Sequence, residues 1–109
     1  MDVRHGIRVL ACIGAMTVGG GADDLDEAFV RALSSASSGI VLDLTRLSYL
    51  DSAGIGAVVA CSKKASAAGV VMKIALAPVG PVRKIFELTQ LARGFEIFED
   101  VDSAALSFA

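Results

Sequence analysis

The sequence predicts an α/β fold, with a four- to five-stranded, mostly parallel sheet and helices packed against it. Three observations carry that prediction. Short apolar runs alternate with segments whose apolar residues recur at three- and four-residue spacing, the order that places crossover helices between parallel strands. The run Ile40-Val41-Leu42 is apolar without alternation, as expected of a central parallel strand buried on both faces. Turn and cap residues fall where the elements must change: Ser34 to Gly39 (SSASSG), Asp51-Ser52 and Gly69.

Within Gly6 to Ile13, the residues Ile7, Val9, Leu10, Ala11 and Ile13 partly alternate and predict one or two early strands, joined as a hairpin near Gly6 or preceded by an edge strand. Gly14 to Ala22 holds three consecutive glycines and is expected to be a flexible connection. It matches neither GxxxxGK(S/T) nor a GxGxxG with the rest of a dinucleotide unit. Asp23 or Asp24 is then expected to cap a helix that turns Leu25, Ala28, Phe29, Ala32 and Leu33 inward. After the central strand and a polar turn, a second helix should run from about Ser52 to Ala68 and stop at Gly69, the usual C-terminal residue type. Val70 to Leu76 predicts a strand, Pro78 to Leu91 a third helix, and Phe95 to Phe98 a short final strand. Asp100 or Asp102 should cap a last turn or two using Ala104, Ala105 and Phe108.

At 109 residues the chain is expected to form one domain, spanning 1–109. Its hydrophobic fraction of 54% is carried by aliphatic residues and only 6% are aromatic, so a core of small side chains is implied, with apolar surface left for a partner. A net charge of -2 gives no electrostatic case for nucleic acid. Lys63 and Lys64 interrupt the longest apolar stretch, which argues against direct membrane insertion. Met1 to His5 lacks the pattern of a signal peptide, so a cytoplasmic location is expected. Cys12 and Cys61 belong to no CxxC pattern and are expected to be small buried residues rather than a metal or redox pair. His5, the one histidine, has no carboxylate or cysteine cluster nearby and is not expected to be catalytic.

The chemistry-bearing stretch is Asp51-Ser52-Ala53-Gly54-Ile55-Gly56. A hydroxyl and a carboxylate stand at the start of a helix whose first nine residues after Ser52 are apolar or glycine. Such side chains can accept hydrogen bonds from the free N–H groups of a first helical turn, and the positive helix end favours a phosphate. From the residues alone, Ser52 is either a cap or a phosphoacceptor, and Asp51 is expected to cap. The helix is expected to pack on the sheet through Ile55, Val58, Val59 and Ser62. Ala53, Gly56, Ala57 and Ala60 would then face either a partner or a second helix of the chain. Gly54 and Gly56 each cost a helix about 1 kcal/mol relative to Ala, a cost that close approach would explain.

The run Val41-Leu42-Asp43-Leu44, followed by Leu47-Ser48-Tyr49-Leu50-Asp51-Ser52-Ala53-Gly54-Ile55-Gly56, resembles the signature of STAS domains, and within them of bacterial anti-sigma factor antagonists. The resemblance covers nearly the whole chain. It implies a STAS-like fold, transcription regulation through a protein partner, and phosphorylation of Ser52 by an anti-sigma factor with serine kinase activity. It also implies that the helix opened by Asp51, Ser52, Ala53 and Gly54, and continued by Gly56, Ala57 and Ala60, docks on that partner. One departure stands out. The family usually carries Gly-x-(Leu/Val)-Asp ahead of its first helix, with the aspartate near the serine, whereas Gly14-Ala15-Met16-Thr17 puts a threonine there. A second class is therefore a STAS subunit of a signalling scaffold or transporter complex in which Ser52 is only structural.

An enzyme needs a positioned base, nucleophile or metal, and the sequence supplies no such set. Ser52 and Asp51 lack a histidine or lysine at a credible position, and Ser-Ala-Gly is not a GxSxG elbow. Asp23-Asp24 and Glu99-Asp100 are explained as helix starts. No catalytic residue, metal or cofactor is expected.

Overall fold

The computed structural model describes residues 2–4, 7–35 and 39–108; the side chains of 2–4 and 92 are left aside. Gly6, His5 and the middle of the SSASSG run lie outside the described residues. In chain order the elements are β1 (Asp2–Arg4), β2 (Ile7–Ala11), β3 (Gly14–Met16), α1 (Ala22–Ser35), β4 (Gly39–Asp43), β5 (Leu47–Leu50), α2 (Ser52–Ala67), β6 (Val71–Ala75), α3 (Pro81–Leu88), β7 (Ile97–Phe98) and α4 (Val101–Leu106). A 3₁₀ turn, Leu91–Gly94, joins α3 to β7.

The main sheet has five strands in the order β1-β2-β4-β6-β7. Only β1 runs antiparallel, pairing with β2 so that Val3 faces Arg8; the other four strands are parallel. β4 is central, and all five of its residues are buried, as the unbroken apolar run predicts. Its register, Val41 opposite both Val9 and Lys73, divides the core into two. On one face Leu10, Ile40, Leu42, Ile74 and Leu76 pack with α1 (Leu25, Phe29, Ala32), α2 (Val58, Cys61, Ala65) and α3 (Val82, Phe86). On the other, Ile7, Val9, Val41 and Ala75 are covered by Ala104 and Ala105 of α4, with Phe98, Val101 and Phe108 beside them.

Several expectations need correction. The segment after β2 is not a flexible connection: Gly14–Met16 forms β3 and pairs in parallel with β5, a strand hidden inside the expected polar turn. The signal was weak because LSYL is only four residues long and does not alternate, being buried at Leu47 and Leu50 and exposed between. Thr17 and Gly20 then exchange backbone hydrogen bonds of 2.9 and 3.1 Å, closing a tight turn. α1 begins at Ala22, so Asp23 and Asp24 occupy its first turn, where their charge suits the helix dipole, rather than its cap. α3 is shorter than expected and starts at Pro81, a residue pre-set for the first helical position, instead of Pro78.

The end of α2 is as expected. Gly69 takes φ 72°, its N–H donates to the Ser66 carbonyl (3.1 Å) and the Val70 N–H to that of Ala65 (2.9 Å), so the last turn closes on itself before β6. At the chain's other end, Asp100 caps α4 by accepting from the Ser103 N–H at 2.7 Å. Phe108 lies beneath the Lys73 ammonium, 4.3 Å from nitrogen to ring centroid, and Lys73 donates to the Ser107 hydroxyl (2.8 Å) and carbonyl (3.2 Å). That arrangement seats α4 on the sheet.

Candidate functional site

The site is the N-terminus of α2 and the turn beside it. The cap is Asp51, in extended conformation, whose Oδ1 accepts from the Gly54 N–H at 3.1 Å. Its second oxygen, Oδ2, accepts from the N–H of Val18 at 3.1 Å, and its own N–H donates to the Met16 carbonyl at 3.2 Å. One carboxylate thus satisfies a first-turn donor of α2 and pins the Thr17–Gly20 turn against the same helix end. These backbone donors, Val18 first and Gly54 next, hold the Asp51 carboxyl below the ordinary carboxylate value. A charged, acceptor-only Asp51 is what both contacts require.

With Asp51 as cap, Ser52 becomes the first helical residue and is exposed. Between the two roles open to Ser52, the cap is filled by its neighbour. The α2 surface that follows is only partly as expected. Its buried face is Gly54, Val58, Cys61 and Ala65, at spacings of four, three and four; Ile55, Val59 and Ser62 lie half-buried at the margins. The expectation that Gly54 belongs to a partner-facing surface is corrected. It is buried, and a Cβ there would lie 2.4 Å from the Met16 carbonyl oxygen and 2.8 Å from the Leu50 Cβ. The close approach that this glycine permits is with β3 and β5 of the same chain.

Ala53, Ala57 and Ala60 are half-buried, and α1 packs beside α2, with Lys64 of α2 ion-paired to Asp26 of α1. Lys64 follows Ala57 and Ala60 at spacings of seven and four, so this stripe is the side that α1 approaches. Gly56 differs from all of these. It is exposed, and among the described residues nothing beyond its own stretch of helix backbone lies within 4 Å of a Cβ at this position.

Val18, 77% exposed at the tip of the turn, was missed by sequence reasoning because the neighbouring glycines suggested only flexibility. Tyr49, 49% exposed, stands opposite the exposed Ala15 in the β3–β5 register, so the small sheet adds an aromatic side chain to the same end of the molecule. A lone apolar residue in a glycine-rich turn was the available signal. Thr17, where the resembled family places its aspartate, is half-buried at the base of the turn.

The Cys61 thiol is buried and that of Cys12 half-buried, and burial pushes both up to about 12, which leaves them protonated at neutral pH. Among the described residues, no group of three or more His, Cys, Asp or Glu side chains is placed to hold a metal. No helix among the described residues is long and apolar enough to cross a membrane.

Comparison with known proteins places this geometry in a family. A candidate anti-sigma factor antagonist from Thermotoga maritima superposes with a TM-score of 0.83 at 20% identity, covering 97% of this chain and 90% of that one. The Bacillus anti-sigma factor antagonist SpoIIAA matches in its unphosphorylated form (TM-score 0.67, 20% identity, 98% and 92% covered) and in its phosphorylated form (0.67, 20%, 98% and 94%). A sulfate transporter family protein from Wolinella succinogenes matches as well, with a TM-score of 0.74, 17% identity, and 99% and 88% covered. No curated protein matches by sequence. The STAS domain model matches residues 1–104, and the chain belongs to the STAS domain family.

Proposed function

We propose that this STAS domain is an anti-sigma factor antagonist: unphosphorylated, it binds an anti-sigma factor with serine kinase activity, and phosphorylation of Ser52 ends that binding. The observation that carries the reading is the division of labour at the start of α2. Asp51 caps the helix and Ser52, relieved of that task, stands exposed on its first turn. A phosphate on Ser52 brings about -1.5 to -2 charges to the positive end of α2, where this chain tolerates it. The surface around it is apolar or small, with Val18, Tyr49 and Gly56 exposed. A partner packed on that surface would have to desolvate the dianion, at a cost of several kcal/mol unless it supplies cations. Dissociation follows.

On this reading the partner surface comprises Asp51, Ser52 and Gly56, to which we add Val18 and Tyr49; Ala53, Ala57 and Ala60, also expected to face a partner, lie half-buried on the side that α1 approaches and are left out of it. The domain acts by protein contact and not as an enzyme, in the cytoplasm where sigma factors work. Thr17 favours a second reading, a STAS subunit of a scaffold or transporter complex with a merely structural Ser52, because the turn beside the helix lacks the family's acidic residue. A pull-down from the native organism's lysate with wild-type, Ser52→Ala and Ser52→Asp protein separates the two. The switch requires a kinase-like anti-sigma factor retained by the first two and lost by Ser52→Asp. Equal retention of scaffold or transporter proteins by all three would establish the second reading.

A further inference from the structure

A cleft lies between the end of β2, β3 and the first turns of α1, and Ser52 does not line it. Its volume is about 220 Å³, and it is open on one side. Its wall is more apolar than polar, with Leu10, Met16, Leu25, Ala28 and Leu47 and the half-buried Cys12 thiol beside exposed polar atoms. Among the described residues, Asp24 is the one charged side chain that lines it, exposed in the first turn of α1 and therefore at the rim.

Size and charge together restrict what fits. A dry apolar cavity of about 150 Å³ is enough for benzene, whereas sites for drug-sized molecules begin near 300 Å³. The volume therefore suits a compact molecule of about one ring. A nucleotide or other phosphate ester is disfavoured, because the charge it would meet among the described residues is a carboxylate. Neither does the thiol offer a covalent handle, since Cys12 stays protonated well above neutral pH.

We propose that this cleft is a binding site for a small hydrophobic cation, a single aromatic or alicyclic ring bearing a primary amine, with the ring against Leu10, Met16, Leu25 and Leu47 and the ammonium at Asp24. The site is independent of the serine switch in its chemistry. It nonetheless shares Met16 and Gly21 with the two ends of the Thr17–Gly20 turn that Asp51 holds.

The test titrates the protein with benzylamine, benzyl alcohol and benzoate, following amide signals by two-dimensional NMR. Benzylamine should shift the signals of Leu10, Met16, Leu25 and Leu47 saturably. It should bind about two- to fivefold more tightly than benzyl alcohol, the gain expected of one exposed ion pair, and benzoate should bind less well than either. Asp24→Asn, an exposed change that leaves the core untouched, should erase the difference between amine and alcohol. Ala28→Leu, with folding checked by circular dichroism, should abolish both. Absence of saturable shifts at these residues, benzoate binding as well as benzylamine, or an amine preference that survives Asp24→Asn would each overturn the assignment.

Discussion

Two glycines in the first turns of α2, two residues apart, should respond to alanine with opposite signs. At Gly56 the added methyl meets nothing within 4 Å among the described residues outside its own stretch of helix, so the substitution only removes the flexibility of glycine in a helix interior. The expected gain is about 0.5–1 kcal/mol. At Gly54 the same propensity gain is opposed by contacts of 2.4 Å to the Met16 carbonyl oxygen and 2.8 Å to the Leu50 Cβ. The obstructing carbonyl is backbone, and it accepts the Asp51 N–H, so making room means moving β3 away from the helix and stretching that hydrogen bond. Overpacking typically costs about 1–3 kcal/mol and a lost hydrogen bond about 1 more, which leaves a net destabilisation of about 1–3 kcal/mol. For a domain of 109 residues, at about 4 °C per kcal/mol, thermal denaturation should show Gly56→Ala melting about 2–4 °C higher and Gly54→Ala about 4–12 °C lower. A Gly54→Ala protein as stable as wild type would refute the close packing of α2 on β3. A destabilised Gly56→Ala would mean that this face is covered within the chain and is no docking surface.

Other outcomes follow from the same geometry. The Asp51 carboxyl is lowered below 3.8 by its backbone donors, so its contribution to stability is fully present above the ordinary carboxylate range and fades as pH falls through about 4 and below. Melting temperature measured from pH 6 to pH 2 should fall less steeply in Asp51→Asn, which cannot lose that charge. With thiols pushed up to about 12 from an ordinary 9.0, Cys12 and Cys61 should be alkylated by iodoacetamide far more slowly in native than in urea-unfolded protein at pH 8. Truncating Phe86, wholly buried at 0% exposure, to Ala should cost about 3–5 kcal/mol in urea denaturation and so approach the whole stability of a small domain. Lys73→Ala removes the contacts to Ser107 and the Phe108 ring, and should raise hydrogen exchange in α4 before any other helix.

The alternation of strands and helices was legible because it rests on long, strongly patterned segments. Ile40-Val41-Leu42 could hardly be anything but a central strand, and the Leu25, Phe29, Ala32 stripe could face only one way. The small β3–β5 sheet was not legible. Three residues of GAM and four of LSYL are too short to show a period, and their pairing depends on a contact more than thirty residues away in sequence. The same limit applied to the site. Asp51 and Ser52 announce a helix start, but their division into cap and exposed hydroxyl depends on which side chain reaches the Gly54 N–H. The inward face of α2 was misassigned because nearly every residue of its first half is apolar or glycine, so hydrophobicity had no contrast from which to choose a side. Gly54 was settled only by the backbone of β3 lying against it.

The most direct measurement of the central claim is phosphosite mapping. The purified protein is incubated with ATP and the native organism's lysate, cleaved with trypsin and sequenced by tandem mass spectrometry, alongside the Ser52→Ala variant. The peptide that follows Arg46 and ends at Lys63 carries Ser48, Tyr49, Ser52 and Ser62, so fragmentation distinguishes every candidate hydroxyl in one spectrum. The account predicts phosphate on Ser52 and none on this peptide in Ser52→Ala. Phosphate on Ser48, Tyr49 or Ser62 instead, or an unmodified peptide in both proteins, would contradict it.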